Sequence, residues 1–324
     1  MVASAVALVA IGCGAPGSST APTSAPASPG GSGSAACSTA PRPSDSLEGW
    51  GPPGAAPEIV PLIIASAGQL VCGPNRVLFT LLDPEGRPIG APDRTARVAI
   101  YNLGRDPSTP ITSLDGEFVW AIEDKVGVYI LNTTFPESGR YGAEFTTADG
   151  GVPTVVRLTF DVQPSSAVVK VGDRAPASKT PTLADVGGDA TQISTDATPN
   201  PAFYETSVDQ ALADGKPFVL VFATPKFCAS AQCGPTLDRI KPFLPRYPGV
   251  TFINVEPYKL KVEDGVLKAD TDANGQLQAA PVTDEWHLFS EPAVYVVGRD
   301  GIVSAAFELI FSDAELTAAL DALR

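Results

Sequence analysis

Apolar and polar side chains alternate along part of the first half of the chain. Over residues 156–162 apolar side chains occupy every second position and polar ones fall between them, which is the period of a strand with one buried face. Shorter apolar runs separated by turn residues precede this segment, at 77–82, 96–103, 118–122, 128–135 and 141–147. About seven short strands within roughly 100 residues, without a long helical pattern, predict an antiparallel β-sandwich over residues 58–165.

The start of one of these strands narrows the class of sandwich. Gly139-Arg140-Tyr141 resembles the Gly-x-Tyr motif that begins a strand in extracytoplasmic sandwiches of immunoglobulin type. The resemblance implies an all-β immunoglobulin-like sandwich. A copper-binding sandwich would need His and Met ligands, and residues 58–165 contain neither. We therefore interpret this region as a spacer or interaction module.

From residue 203 onward the pattern changes to strands that alternate with helices. The expected elements are a strand at 218–223, a helix at about 235–246, a strand at 250–255, a hairpin at 293–297 and 302–307, and a terminal helix. The terminal helix begins with the capping box Ser312-x-x-Glu315. This alternation predicts an α/β domain over residues 203–324.

Three landmarks of this second region follow one another in a recognisable order. A buried strand ends in Phe222-Ala223, a Cys-containing loop opens a Pro-bearing helix, and Glu291-Pro292 precedes the penultimate strand. Together they resemble the thioredoxin-like fold, which implies a central sheet flanked by helices and a cis proline at Pro292 beside the Cys loop. The loop departs from the family, because four residues separate Cys228 from Cys233 where thioredoxins have two.

The position of Cys233 suggests thiol chemistry. Gly234 and Pro235 are typical of a helix start, and a helix N-terminus lowers the pKa of a nearby thiol, whereas the Glu291 carboxylate would raise it. We predict thiol-disulfide exchange with extracytoplasmic protein thiols or disulfides. In this interpretation Cys233 is the nucleophile, Cys228 is its partner, and Pro292 shapes the groove for a substrate backbone.

Two other interpretations of the Cys loop remain open. The pair could be an inert structural disulfide in a non-catalytic binding or scaffold protein. The second interpretation is a copper site made of Cys228, Cys233 and His287, as in Sco-type chaperones, although those proteins have three residues between the two thiols.

A separate segment resembles the start of a calcium-binding loop. Asp270-x-Asp272-x-Asn274-Gly275 matches its first positions, but Pro281 stands where a bidentate Glu is needed. We therefore interpret residues 270–281 as a solvated polar loop. The leading interpretation, thiol-disulfide exchange, needs neither a metal nor a cofactor, and we expect neither.

The N-terminal segment reads as a targeting signal. Residues 2–12 are small or apolar and end before Cys13-Gly14, and the stretch is too short to span a membrane. It resembles the bacterial lipoprotein signal, which implies a signal peptide at 1–12 and lipidation of Cys13. Residues 13–57 are rich in Gly, Ala, Pro, Ser and Thr and predict a tether. The alternative is a secreted protein with an unmodified Cys13.

A second stretch of similar composition, residues 166–202, predicts a linker between the two folded regions. If Cys13 carries lipid, four cysteines remain. Of their three possible pairings, Cys37 with Cys72 and Cys228 with Cys233 keep each disulfide within one region. The first pair is predicted to be structural.

Charge and targeting together limit the partners. The chain has 22 basic and 36 acidic residues and a net charge of −14, without a basic run that could bind nucleic acid. No later segment is long and apolar enough to cross a bilayer, so the lipid is the only membrane anchor expected. These features predict a protein on the extracytoplasmic side of the cell membrane.

Overall fold

The structure, a computed structural model, describes residues 37–44, 47, 49–51, 57–65 and 70–324. The predicted signal peptide at 1–12, the lipidation site Cys13 and most of the predicted tether lie outside the described residues. Within the described part of the chain, no helix has the length and apolar character needed to cross a membrane.

Eight strands form two antiparallel sheets between residues 60 and 162. They are β1 (Val60–Ile64), β2 (Gly73–Leu82), β3 (Thr95–Asn102), β4 (Thr112–Asp115), β5 (Glu117–Ile122), β6 (Val126–Phe135), β7 (Gly139–Ala148) and β8 (Thr154–Val162). One sheet has the order β1-β2-β6-β5 and the other β4-β3-β7-β8. The predicted β-sandwich is confirmed.

The inward-facing side chains of the two sheets meet in one aromatic core. Phe79 stacks on Tyr129 with ring centroids 5.2 Å apart and meets Phe145 of the opposite sheet edge to face at 5.1 Å. Tyr141, from the Gly-x-Tyr segment, is fully buried and its hydroxyl donates to the Glu137 carbonyl at 2.9 Å. Burial of a tyrosine with its hydroxyl satisfied favours a single packing arrangement.

Part of the predicted tether is folded onto this sandwich. Cys37 forms a disulfide with Cys72, and the Ala40 amide donates to the Ser138 carbonyl at 2.8 Å. Trp50 is 7% exposed and lies over Gly142, where any side chain would collide with the indole ring. Folded residues therefore occur before residue 58, because the disulfide attaches Cys37 to the sandwich and the buried indole ring attaches Trp50 to it.

A second, mixed sheet follows. Its strands are β9 (Phe218–Phe222), β10 (Thr251–Val255), β13 (Ala293–Val297) and β14 (Val303–Glu308). Their order is β10-β9-β13-β14, with β9 and β10 parallel and β13 antiparallel to both of its neighbours. A separate hairpin of β11 (Leu260–Glu263) and β12 (Val266–Ala269) lies between β10 and β13 in sequence.

Helices cover both faces of the mixed sheet. Among the residues that the structure describes, the α-helices are α1 (Val208–Ala213), α2 (Cys233–Ile240), α3 (Pro281–Glu285) and α4 (Asp313–Asp321). Side chains of α2 and α4 share a core with one face, and those of α1 and α3 share a core with the other. The predicted capping box of α4 is present, with the Glu315 amide donating to Ser312 Oγ at 3.1 Å and the Ser312 amide donating to Glu315 Oε2 at 2.9 Å.

The helix predicted at about 235–246 begins and ends differently in the structure. Cys233 is its first residue, with Gln232 as N-cap instead of Gly234. Pro235 is tolerated in the first turn because the backbone N–H groups of that turn have no acceptor within the helix. The α-helix ends at Ile240 and continues as a 3-10 helix, Lys241–Arg246. Pro242 and Pro245 lack the N–H groups that a regular α-helix would use there.

The predicted linker packs against the mixed sheet. The Gly172 amide donates to the Val303 carbonyl, and the Val303 amide donates to the Asp173 carbonyl, both at 2.9 Å. Ala175 and Ser178 are buried, and the segment contains short 3-10 helices. Residues 37–324 form one compact unit.

A carboxyl group with a raised pKa lies where the sandwich meets β14. Burial raises the pKa of Glu308 to about 7, and the nearby positive charge of Arg76 opposes the shift only in part. In an unfolded chain a Glu ionises near pH ~4.3. Between pH ~4.3 and about 7, the Glu308 carboxyl is therefore protonated in the folded protein and ionised in the unfolded chain. The contribution of Glu308 to stability is complete below pH ~4.3 and is lost as pH rises to about 7.

We expect Glu308→Gln to remove this pH dependence. The difference in free energy of unfolding, variant minus wild type, should increase by about 3 kcal/mol from pH ~4 to pH ~8, because only the wild type loses stability over this range. Urea denaturation at several pH values measures the difference. Glu117→Gln, at an exposed position of β5, is the matched control and should follow the wild-type curve. Parallel curves for wild type and Glu308→Gln would contradict the assignment.

Candidate functional site

The Cys loop connects β9 to α2. The strand ends at Phe222 and the helix begins at Cys233, so the intervening residues cross the carboxyl end of a buried strand. Cys228 and Cys233 are joined as a disulfide, and the Cys233 amide also donates to Cys228 Sγ at 3.3 Å. Both predicted disulfides are therefore present in the structure.

The two sulfurs of this pair have different environments. Cys233 is 0% exposed and belongs to the core that α2 shares with the sheet, beside Leu237 and Ile240. Cys228 is only partly buried and packs at the edge of that core. The first turn of α2 directs Cys233 inward, so of the two cysteines it is Cys228, and not the predicted nucleophile, that is partly exposed to solvent.

Pro292 lies next to the Cys loop. The peptide bond between Glu291 and Pro292 is cis, and Pro292 is buried immediately before β13. Ser230 Oγ, within the Cys loop, donates to the Glu291 carbonyl oxygen at 3.2 Å. The structure therefore brings together the three residues that the sequence assigned to one site, Cys228, Cys233 and Pro292.

Charged groups around the loop have partners. Lys226 Nζ donates to the Leu267 carbonyl of β12 at 3.1 Å and lies 5.7 Å from the centroid of the Phe227 ring, so the hairpin holds this cation. Burial raises the pKa of Tyr258 to about 12, and the charge of Glu291 and a hydrogen bond to it add to the rise. The Glu291 carboxyl is thus engaged by a phenol beside the site.

One buried carboxyl near the base of the loop was not predicted. Glu256 is 8% exposed and accepts a hydrogen bond from the Thr195 amide at 2.6 Å. Thr195 Oγ1 in turn accepts from the Lys226 amide at 3.2 Å. Burial raises the pKa of Glu256. The signal in the sequence was an acidic residue directly after the apolar strand β10, but nothing local predicts that the chain near Thr195 covers it.

The structure does not assemble the alternative metal sites. His287 is exposed, and no group of three or more His, Cys, Asp or Glu side chains that could hold a metal occurs among residues 37–44, 47, 49–51, 57–65 and 70–324. In the loop that resembles a calcium site, Asp272 Oδ1 accepts from the amides of Asn274 and Gln276, both at 2.8 Å. That carboxylate closes its own turn.

Comparison with known proteins identifies no family. No family model matches the chain, and no curated protein is found as a relative. Among solved structures, the filamin domain of Lin-41 is 15% identical, with a TM-score of 0.19, and the match covers 34% of this chain and 97% of that domain. The PKD domain of the human VPS10 domain-containing receptor SorCS2 is 17% identical, with a TM-score of 0.18, and the match covers 43% of this chain and 100% of that domain. The description of the sandwich rests on its own strand order and core.

Proposed function

We propose that this chain is a membrane-anchored, extracytoplasmic protein with a thioredoxin-like C-terminal domain that exchanges disulfides with protein thiols. The observation that carries the proposal is the Cys228–Cys233 disulfide at the start of α2, with one sulfur buried, the other partly exposed, and Pro292 beside it. The strand order β10-β9-β13-β14 supports the thioredoxin-like assignment. The anchor is proposed from the sequence around Cys13 alone.

In this proposal exchange begins at Cys228, the partly exposed member of the pair. A substrate thiolate attacks Cys228 Sγ, a bond forms between the two sulfurs, and the Cys228–Cys233 bond breaks. Cys233 leaves as a thiolate at the first residue of α2, where the free N–H groups and the helix dipole stabilise negative charge. The sequence-based roles are therefore exchanged: Cys228 forms the mixed disulfide and Cys233 is the leaving group.

A second substrate thiolate completes the cycle. It attacks the substrate sulfur of the mixed disulfide, so a disulfide forms in the substrate and Cys228 is released as a thiolate that takes up a proton. The substrate loses two electrons and the Cys228–Cys233 pair gains them. The reverse sequence, with Cys228 attacking, reduces a substrate disulfide.

A scaffold role with an inert disulfide is the second candidate, and the complete burial of Cys233 favours it. The reduction potential of the Cys228–Cys233 pair separates the two. Structural disulfides in secreted proteins typically lie below about −300 mV. We expect a higher value, together with catalysis of insulin reduction by dithiothreitol. A potential below that limit with no catalysis would establish the scaffold role instead.

A further inference from the structure

An arginine of the sandwich forms an ion pair and a hydrogen bond with the C-terminal domain. Arg76 lies on β2, and its Nε and Nη2 donate to Glu315 Oε1 at 2.6 Å and Oε2 at 2.9 Å. Nη2 also donates to the Ile310 carbonyl at 2.7 Å. The two charged side chains are 14% and 15% exposed, so this is a bidentate, largely desolvated ion pair of the kind that fixes geometry.

One of these contacts, to the Ile310 carbonyl, falls on the short segment between β14 and α4, residues 309–312, and the other two fall on the first turn of α4. Leu309 has a φ of +57°, a left-handed conformation that is unfavourable for a branched side chain and persists only where the surroundings impose it. The Leu309 amide donates to the Pro292 carbonyl at 2.8 Å. On the other side, Arg239 of α2 donates to the Phe311 carbonyl.

The same segment thereby touches both parts of the candidate site. Through Pro292 it reaches Glu291, whose carbonyl accepts from Ser230 in the Cys loop at 3.2 Å. Through Arg239 it reaches α2, whose first residue is Cys233. Three hydrogen bonds, joined by the backbone of residues 309–310 and 291–292, therefore connect the sandwich to the loop that carries the disulfide.

We infer that Arg76 is a positioning residue, through which the sandwich holds residues 309–312 and Pro292 in place as a wall of the groove for protein substrates. The inference rests on the proposed function. Without the guanidinium, the Ile310 carbonyl loses a donor and Glu315 loses its counter-charge, so the wall relaxes. In this inference the sandwich positions residues of the substrate groove and is not only a spacer.

The test compares two substrates that differ in their need for the groove. A protein disulfide such as insulin would lie along Pro292 and Leu309, whereas dithiothreitol attacks Cys228 without them. Arg76→Gln should raise KM for insulin by between about twofold and 30-fold, and the direct rate of reduction by dithiothreitol should stay within about twofold. Arg76→Lys keeps the charge but not the bidentate geometry and should restore part of the affinity.

Two further variants sharpen the comparison. Glu315→Gln can still make the capping box of α4 but loses the charge that pairs with Arg76, so it should reproduce Arg76→Gln. Arg97→Gln removes an ion pair to Asp115 whose side chains are 54% and 77% exposed, and it should behave as wild type. Equal effects of Arg76→Gln on both substrates, or no effect on either, would overturn the inference.

Failure of the proposed function can be distinguished from failure of this inference. If the wild type does not catalyse exchange, the proposed function fails whatever the variants do. Hydrogen exchange at the Leu309 amide then decides whether Arg76 holds the segment. Faster exchange in Arg76→Gln than in Arg97→Gln is expected, and equal rates would refute the positioning role.

Discussion

Serine in place of Cys228 should reduce exchange with protein substrates to the uncatalysed rate, because this variant lacks the sulfur that a protein thiol can reach. Serine in place of Cys233 should have a different effect. Cys228 can still form a mixed disulfide with a substrate, but no neighbouring thiol is present to displace it. Substrate adducts should therefore accumulate in Cys233→Ser and be absent from Cys228→Ser.

Non-reducing electrophoresis and mass spectrometry of the trapped species measure this difference. The double variant Cys37→Ser/Cys72→Ser is the matched control, since it removes the other disulfide and should neither trap substrates nor slow exchange beyond the cost of reduced stability. Adducts on Cys233 in the Cys228→Ser protein would reverse the assignment and return the nucleophile to the residue that the helix-start argument favoured.

Alanine in place of Trp286 should lower the free energy of unfolding by about 4 kcal/mol. The indole is 0% exposed, with ring centroids 4.7 Å from Tyr295 and 5.8 Å from Phe222. Its Nε1 donates to Ser178 Oγ at 3.1 Å, so the ring joins the segment before α1 to the sheet. Removing it leaves a large cavity and a buried hydroxyl that has lost its donor.

Trp286→Phe separates these two contributions. The smaller ring keeps much of the packing but removes the N–H group, and we expect it to cost about 1–3 kcal/mol. Urea denaturation followed by far-ultraviolet circular dichroism measures both variants. A loss below about 1 kcal/mol for Trp286→Ala would show that the core around β13 repacks without the indole.

Local patterns predicted much of the fold. The two-residue period at 156–162 and the apolar run at 218–223 correspond to β8 and β9, and Ser312 with Glu315 caps α4 as expected. These features depend on neighbours a few residues away, so a short window of sequence contains the information. The pairing of Cys228 with Cys233 belongs to the same class, because only five positions separate them.

Other features escaped prediction because their partners are distant in sequence. Arg76 and Glu315 are separated by 239 positions, and neither has a local pattern that points to the other. Composition alone made residues 37–51 and 166–202 look like tether and linker. Trp50 is buried because it packs on the sandwich, and Ser178 is buried because it packs beside Trp286 and the mixed sheet.

Local sequence patterns were enough to predict most strands and helices, the position of the capping box of α4 and the favoured pairing of the cysteines. Only the tertiary structure decided that Cys233 is buried in the core while Cys228 lies partly exposed at its edge, that Pro292 lies beside the Cys loop, and that Arg76 of the sandwich donates to the Ile310 carbonyl. The physical reason is that burial is a property of packed surfaces. A helix start can favour a thiolate at Cys233, but whether a substrate can reach that sulfur depends on the side chains that the rest of the fold places over it.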